Sequence, residues 1–69
     1  MFVGTLVALV KNNSEVVQQS EIIINGSCDA IQQLNISTQV DDYIAEIRDA
    51  LNNIKKLAIQ LQITADSLT

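Results

Sequence analysis

The sequence has no proline, no histidine and no tryptophan, and it carries a single cysteine, Cys28. Each absence closes a route. Without proline, no residue forces a helix to break by removing a backbone donor. Without histidine, the commonest general base is missing. With one thiol and no imidazole, a zinc site lacks its usual ligands. A disulfide within the chain is impossible. Bases are scarce too: four Lys and Arg stand against eight Asp and Glu, for a net charge of −4. Nucleic-acid binding needs clustered cations to neutralise phosphates, and here only Lys55 and Lys56 are adjacent. The same shortage argues against docking on anionic lipid. Phe2 and Tyr43 are the only aromatic residues.

What remains is aliphatic. Hydrophobic residues make up 48% of the 69 positions, supplied mainly by Ile, Leu, Val and Ala. Sixty-nine residues allow one domain, spanning 1–69. Chains this short bury little surface, and usually need a disulfide, a metal or a partner subunit. With the first two disfavoured, tight helix packing or association is left.

The clearest pattern lies in the C-terminal half. Val40, Ile44, Ile47, Leu51, Ile54, Ala58, Leu61, Ala65 and Leu68 follow one another at alternating steps of four and three. This is an apolar seam along a helix. Ile44, Leu51, Ala58 and Ala65 occupy heptad position a; Val40, Ile47, Ile54, Leu61 and Leu68 occupy d. Tyr43, Ala50, Leu57 and Thr64 fall at g, which makes the face wider than a two-stranded seam and better suited to a bundle or hairpin. Thr38 is the expected N-cap, with Asp41 three residues on. Asp41, Asp42 and Glu46 then lie near the positive end of the helix dipole.

The N-terminal half repeats the period. Val10, Val17, Ile24 and Ile31 form one row; Leu9, Val16, Ile23 and Ala30 form the next. A flanking row reads Leu6, Asn13, Ser20, Ser27, Leu34. Its polar middle marks either the edge of a buried face or close helix contact through small side chains. "IIINGS" (22–27) contains Asn-Gly, a turn signal, yet the seven-residue rows pass through it unshifted. Two readings stay open: a continuous or slightly kinked helix, and a strand or short helix ending at Asn25 with a new helix from Ser27. "LNIST" (34–38) is the expected turn between halves, with Asn35 suited to a left-handed conformation. The expected fold is therefore all-α: a two-helix antiparallel hairpin, helix one about 5–34, turn 35–38, helix two about 39–68. The seam of helix two faces the rows of helix one, and two such hairpins closing into a four-helix bundle would cover the remaining apolar surface. The interface residues expected are Val17, Ile24, Ile31, Ile44, Ile47, Leu51, Ile54 and Leu61.

No catalytic constellation emerges, so the chain is expected not to be an enzyme and to need no cofactor. Cys28 has neither an activating base nor a resolving thiol and reads as a small, partly buried residue. Asp41, Asp42, Glu46 and Asp49 lack the glycine and alternating ligands of a calcium loop and read as a solvated acidic face. Three Asn-x-Ser triplets begin at Asn12, Asn25 and Asn35; in a secreted eukaryotic or viral chain they would accept glycans, but no secretory signal accompanies them. "MFVGTLVALV" (1–10) is too short to span a bilayer as a helix, and it reads as a buried part of the fold. A membrane role is thus not expected.

"LVKNNSEVVQQSEIIINGS" (9–27) followed by "VDDYIAEIRDALNNIKKLAIQLQITADSL" (40–68) resembles the small helical-hairpin proteins of Gram-positive type VII secretion, closest to the α-helical partners of the LXG toxins. The shared features are the Lys-x-Asn-Ser-type start, the short central turn, and a second helix of the form A-x-x-I…L-A…A-D-S-L. "NIST" stands where the wider superfamily has Trp-x-Gly, and no Phe-x-x-x-Asp signal is present. The resemblance implies an adaptor that binds a toxin's helical targeting region. The expected partner is thus a second copy or another helical protein, and the expected location the cytoplasm, with export by a non-classical route added by the resemblance. A different class of reading is a heptad-repeat segment of a viral or membrane-associated protein with an apolar N-terminus.

Overall fold

A computed structural model of the chain describes residues 2–68. Helix α1 runs over Phe2–Gln33 and helix α2 over Thr38–Ser67. The two pack antiparallel as a hairpin 51 × 15 × 11 Å in its principal dimensions. At 1.5 Å per residue, helices of this length reach about 45–48 Å, so each spans nearly the whole molecule. Helix α1 starts earlier than the expected boundary near residue 5, because the apolar residues that follow Phe2 continue the helical period.

Asn25 and Gly26 lie inside α1 without a break. The continuous-helix reading therefore holds, and the one that ends a strand or short helix at Asn25 does not. A helical glycine costs about 1 kcal/mol relative to alanine. Burial of Cys28, partial burial of Ile24 and a hydrogen bond from Arg48 to Asn25 lie on either side of it, and these offset that cost. A Cβ at Gly26 would meet nothing within 4 Å, so no close approach requires glycine there.

The turn is formed by residues 34–37. The amides of Leu34 and Asn35 donate to the carbonyls of Ile31 and Gln32 at 3.0 and 3.1 Å, which satisfies groups left over at the helix end. Asn35 has φ 53°, the left-handed conformation that asparagine tolerates. Ser37, not Thr38, is the N-cap: its backbone is extended and its hydroxyl accepts from the Val40 amide at 3.2 Å. The cap thus sits one residue earlier than expected. Thr38 becomes the first helical residue, and the position three after the cap is Val40, whose side chain cannot return a hydrogen bond.

The helix–helix seam is narrow and built partly from small residues. On α1, the side chains wholly or partly withdrawn from water include Val3, Val7, Val10, Ser14, Val17, Glu21, Ile24 and Cys28, again at steps of four and three. On α2 the fully buried residues are Ile44, Ala58 and Ala65, with Leu51 half-buried between them. Small side chains such as Ser14, Ala58 and Ala65 bring two helix axes close, since interaxial distance follows side-chain size at the contact.

This seam corrects the expectation for α1. The row beside Val10, Val17 and Ile24 in the seam is Val7, Ser14, Glu21 and Cys28, while Leu9, Val16 and Ile23 are exposed, Ile23 by 67%. On α2 the a positions are joined in the contact by Arg48, Lys55 and Gln62 rather than by the apolar d positions. This rotation sets Arg48 and Lys55 against Asn25, Asp29 and Glu21. Turning either helix toward its larger aliphatic row would break those bonds.

Candidate interaction face

The seam has two flanks, and they differ in chemistry. On one flank, Arg48 reaches across from α2. Its Nη1 donates to Asn25 Oδ1 at 3.0 Å, and its Nη2 donates to Asp29 Oδ1 at 2.6 Å and Gln32 Oε1 at 3.3 Å. Two turns further along α2, Lys55 Nζ lies 3.5 Å from Glu21 Oε1. A guanidinium presents several donors in a fixed fork, and here it ties together three consecutive turns of α1. This flank is closed by polar side chains from both helices. Asn25, which heads an Asn-x-Ser triplet, spends its side-chain oxygen on this network.

The other flank is open and apolar. On α2 it carries the rows Ile47, Ile54, Leu61, Leu68 and Tyr43, Ala50, Leu57, Thr64. On α1 it carries Leu6, Asn13, Ser20, Ser27 and Leu9, Val16, Ile23, Ala30. In each helix these rows lie on the same rotational side of the buried seam. Because the helices run antiparallel, equal rotational sense places both sets of rows on one broad face of the hairpin. A shallow depression on this face is lined jointly by Asn13 and Val17 of α1 and by Ile54, Leu57, Ala58 and Leu61 of α2, which fixes the two helices' rows as neighbours. No residue of these rows is charged. All twelve charged side chains lie elsewhere on the hairpin.

The residues expected at the interface divide accordingly. Ile44 is buried in the seam, and Val17, Ile24 and Leu51 are half-buried there. Ile47, Ile54 and Leu61 lie on the open face, 43–49% exposed. Ile31, near the turn, is also largely exposed. Sequence periodicity grouped these eight correctly as apolar rows but did not separate the two surfaces. It also missed Glu21, Asn25, Asp29, Arg48 and Lys55 as a set. The available signal was their opposite charges at matching heights in an antiparallel hairpin.

Tyr43 belongs to the open face, with its hydroxyl accepting from Gln39 Nε2 at 2.9 Å. Ile59 and Ile63 sit apart on the outer side of α2, and Ile22 on that of α1, each exposed. The surface bounded by Asp49, Asn52, Asn53, Lys55, Lys56 and Ile59 is contributed by α2 alone, so nothing on α1 closes over it. Cys28 is buried. Among the described residues no group of three or more acidic, cysteine or histidine side chains is placed to hold a metal ion, and no helix is long and apolar enough to cross a membrane. Comparison with protein-family models, characterised proteins and solved structures finds no match to this chain.

Proposed function

We propose that this chain is a non-catalytic helical interaction module, which acts by laying one uncharged face against the helices of another polypeptide. The observation that carries this reading is the open flank: aliphatic side chains at strict heptad spacing on both helices, on one face, with no charge among them. Contiguous apolar surface of this extent on a small protein marks a contact surface. Single exposed residues such as Ile22 need no such explanation. The spacing also selects the occupant. Rows at alternating steps of four and three match the ridges and grooves of other α-helices.

The resemblance to helical hairpins of type VII secretion supports a narrower reading. In it the module is an adaptor whose face receives the helical targeting region of a toxin. The hairpin architecture and the short turn fit that role.

A photo-crosslinking residue placed at Leu57, on the open face, or at Asp49, on the outer side of α2, tests the module in the cells that make it. Polypeptide adducts from position 57 and none from 49 are expected. Adducts in equal yield from both positions, or from neither, would overturn the reading.

A further inference from the structure

The reading above leaves the occupant of the face unnamed; resting on it, we infer that the face is covered by a second copy of this chain, with α2 of each protomer lying over α1 of the other. The first argument is steric. The contacts of Arg48 with Asn25 and Asp29, and of Lys55 with Glu21, set the height of each α1 residue beside α2. At those heights Ser27 is level with Ile47, Ser20 with Ile54, and Asn13 with Leu61. In the alternate row the sizes reverse: Ile23 is level with Ala50, and Leu9 with Thr64. Near the turn, Ala30 is level with Tyr43. Along most of the hairpin, each level thus offers one large and one small side chain. Val16 with Leu57 near mid-length and Leu6 with Leu68 at the far end are the exceptions, each two larger groups.

A second copy turned by 180° about an axis parallel to the helices keeps every height and exchanges left for right. Its α1 then lies above α2 of the first protomer, antiparallel to it. Each large side chain of one copy meets the small one of the other, and the reverse holds by symmetry. That is the self-complementarity an isologous interface requires, and nothing but the chain's own two rows is needed to produce it. A copy turned about an axis across the helices stacks α1 on α1 and α2 on α2, and crowds the aliphatic side chains of the two α2 helices together.

The second argument is electrostatic. Two copies of a chain of net charge −4 repel at close range unless the charges lie away from the contact. Here the contact rows are all neutral. The third is area. A face 51 Å long and 15 Å wide has a projected outline of roughly 770 Å², large enough to hold an interface of the standard size, which buries roughly 800 Å² of accessible surface per partner.

The test is sedimentation equilibrium on the purified full chain, joined to disulfide mapping in a Cys28→Ala background. One preparation carries Ser20→Cys and another Ile54→Cys; they are mixed and oxidised in a glutathione buffer. A dimer at micromolar concentration and a mixed disulfide between the two preparations, in excess over either like-with-like product, are expected. Leu57→Asp should weaken the dimer by roughly a hundredfold or more, since it buries two unpaired charges. Gln60→Asp, on the outer side, should change it less than about twofold. A folded monomer throughout the high-micromolar range overturns the inference, and so does a dimer whose disulfides join like positions. If Leu57→Asp loses its helices along with its partner, the mixed disulfide decides alone. A monomer that still gives foreign adducts from position 57 removes the second copy and leaves the interaction module standing. A monomer with no adducts removes both.

Discussion

The two flanks of one helix–helix seam solve the same problem in opposite ways. Both border the buried line of Val10, Val17, Ile44 and Ala58. On the Arg48 flank, long charged side chains reach across from α2 and finish the contact with hydrogen bonds, so water can lie against it. On the Leu57 flank nothing reaches across. Aliphatic groups of α2 stand beside small, uncharged groups of α1, with Leu57 itself 63% exposed. The first flank needs no further protein. The second leaves apolar side chains facing water, and the proposed contact would cover them. A two-helix hairpin has only one internal contact surface, and here Ser14, Glu21, Cys28, Ala58 and Ala65 share it with Val10, Val17, Ile24, Ile44 and Leu51. Ile47, Ile54, Leu57 and Leu61 stay substantially exposed beside it.

The contrast can be broken most severely where both flanks meet. Ala58 is buried in the seam, and Ala58→Asp forces a carboxylate into a close helix–helix contact. A loss of about 3 kcal/mol or more is expected, read by far-ultraviolet circular dichroism as loss of helix. Retained helicity would mean that the seam is not the main internal contact.

Next in size is the open flank alone. Ile54→Asp should dissociate the proposed dimer while Gln60→Asp leaves it intact, as followed by size-exclusion chromatography with light scattering. Equal tolerance of the two changes would place the contact on some other surface. The outer side of α1, away from both flanks, provides a reference. Gly26→Ala should raise thermal stability by up to about 1 kcal/mol, because a Cβ there meets nothing. A fall in melting temperature would reveal that the outer side is not free.

The smallest effect belongs to the polar flank. The side chains of Arg48 and Asp29 are 34% and 66% accessible, and ion pairs in such exposure contribute about 0.5–1 kcal/mol. Arg48→Met should cost about that much in a thermal melt, and the difference should shrink in high salt. A larger, salt-independent loss would show that Arg48 acts through packing of its aliphatic stem.

Much of the architecture could be read from residue spacing. The heptad rows predicted two long helices, their short connection and its left-handed Asn35. The rows also ran unshifted through Asn25-Gly26, as a continuous helix requires. The N-cap was placed one residue late because Ser37 and Thr38 are both competent caps, and only the backbone geometry distinguishes them. The buried row of α1 was misassigned for a clearer reason. Val7, Ser14, Glu21 and Cys28 contain a hydroxyl, a carboxylate and a thiol, so hydropathy ranks them below Leu9, Val16 and Ile23. Periodicity reports which residues share a row. It does not report which of two adjacent rows a neighbour covers.

The amino-acid order by itself determined that both halves are helical, that their apolar rows keep one heptad phase, and that no charge falls on the widest of them, since these are properties of local backbone preference and of spacing along 3.6-residue turns. Only the tertiary structure decided how each helix is rotated about its own axis. That choice sets Arg48 and Lys55 against Asn25, Asp29 and Glu21 and brings small side chains to the contact, and such long-range pairings are not written in either helix alone.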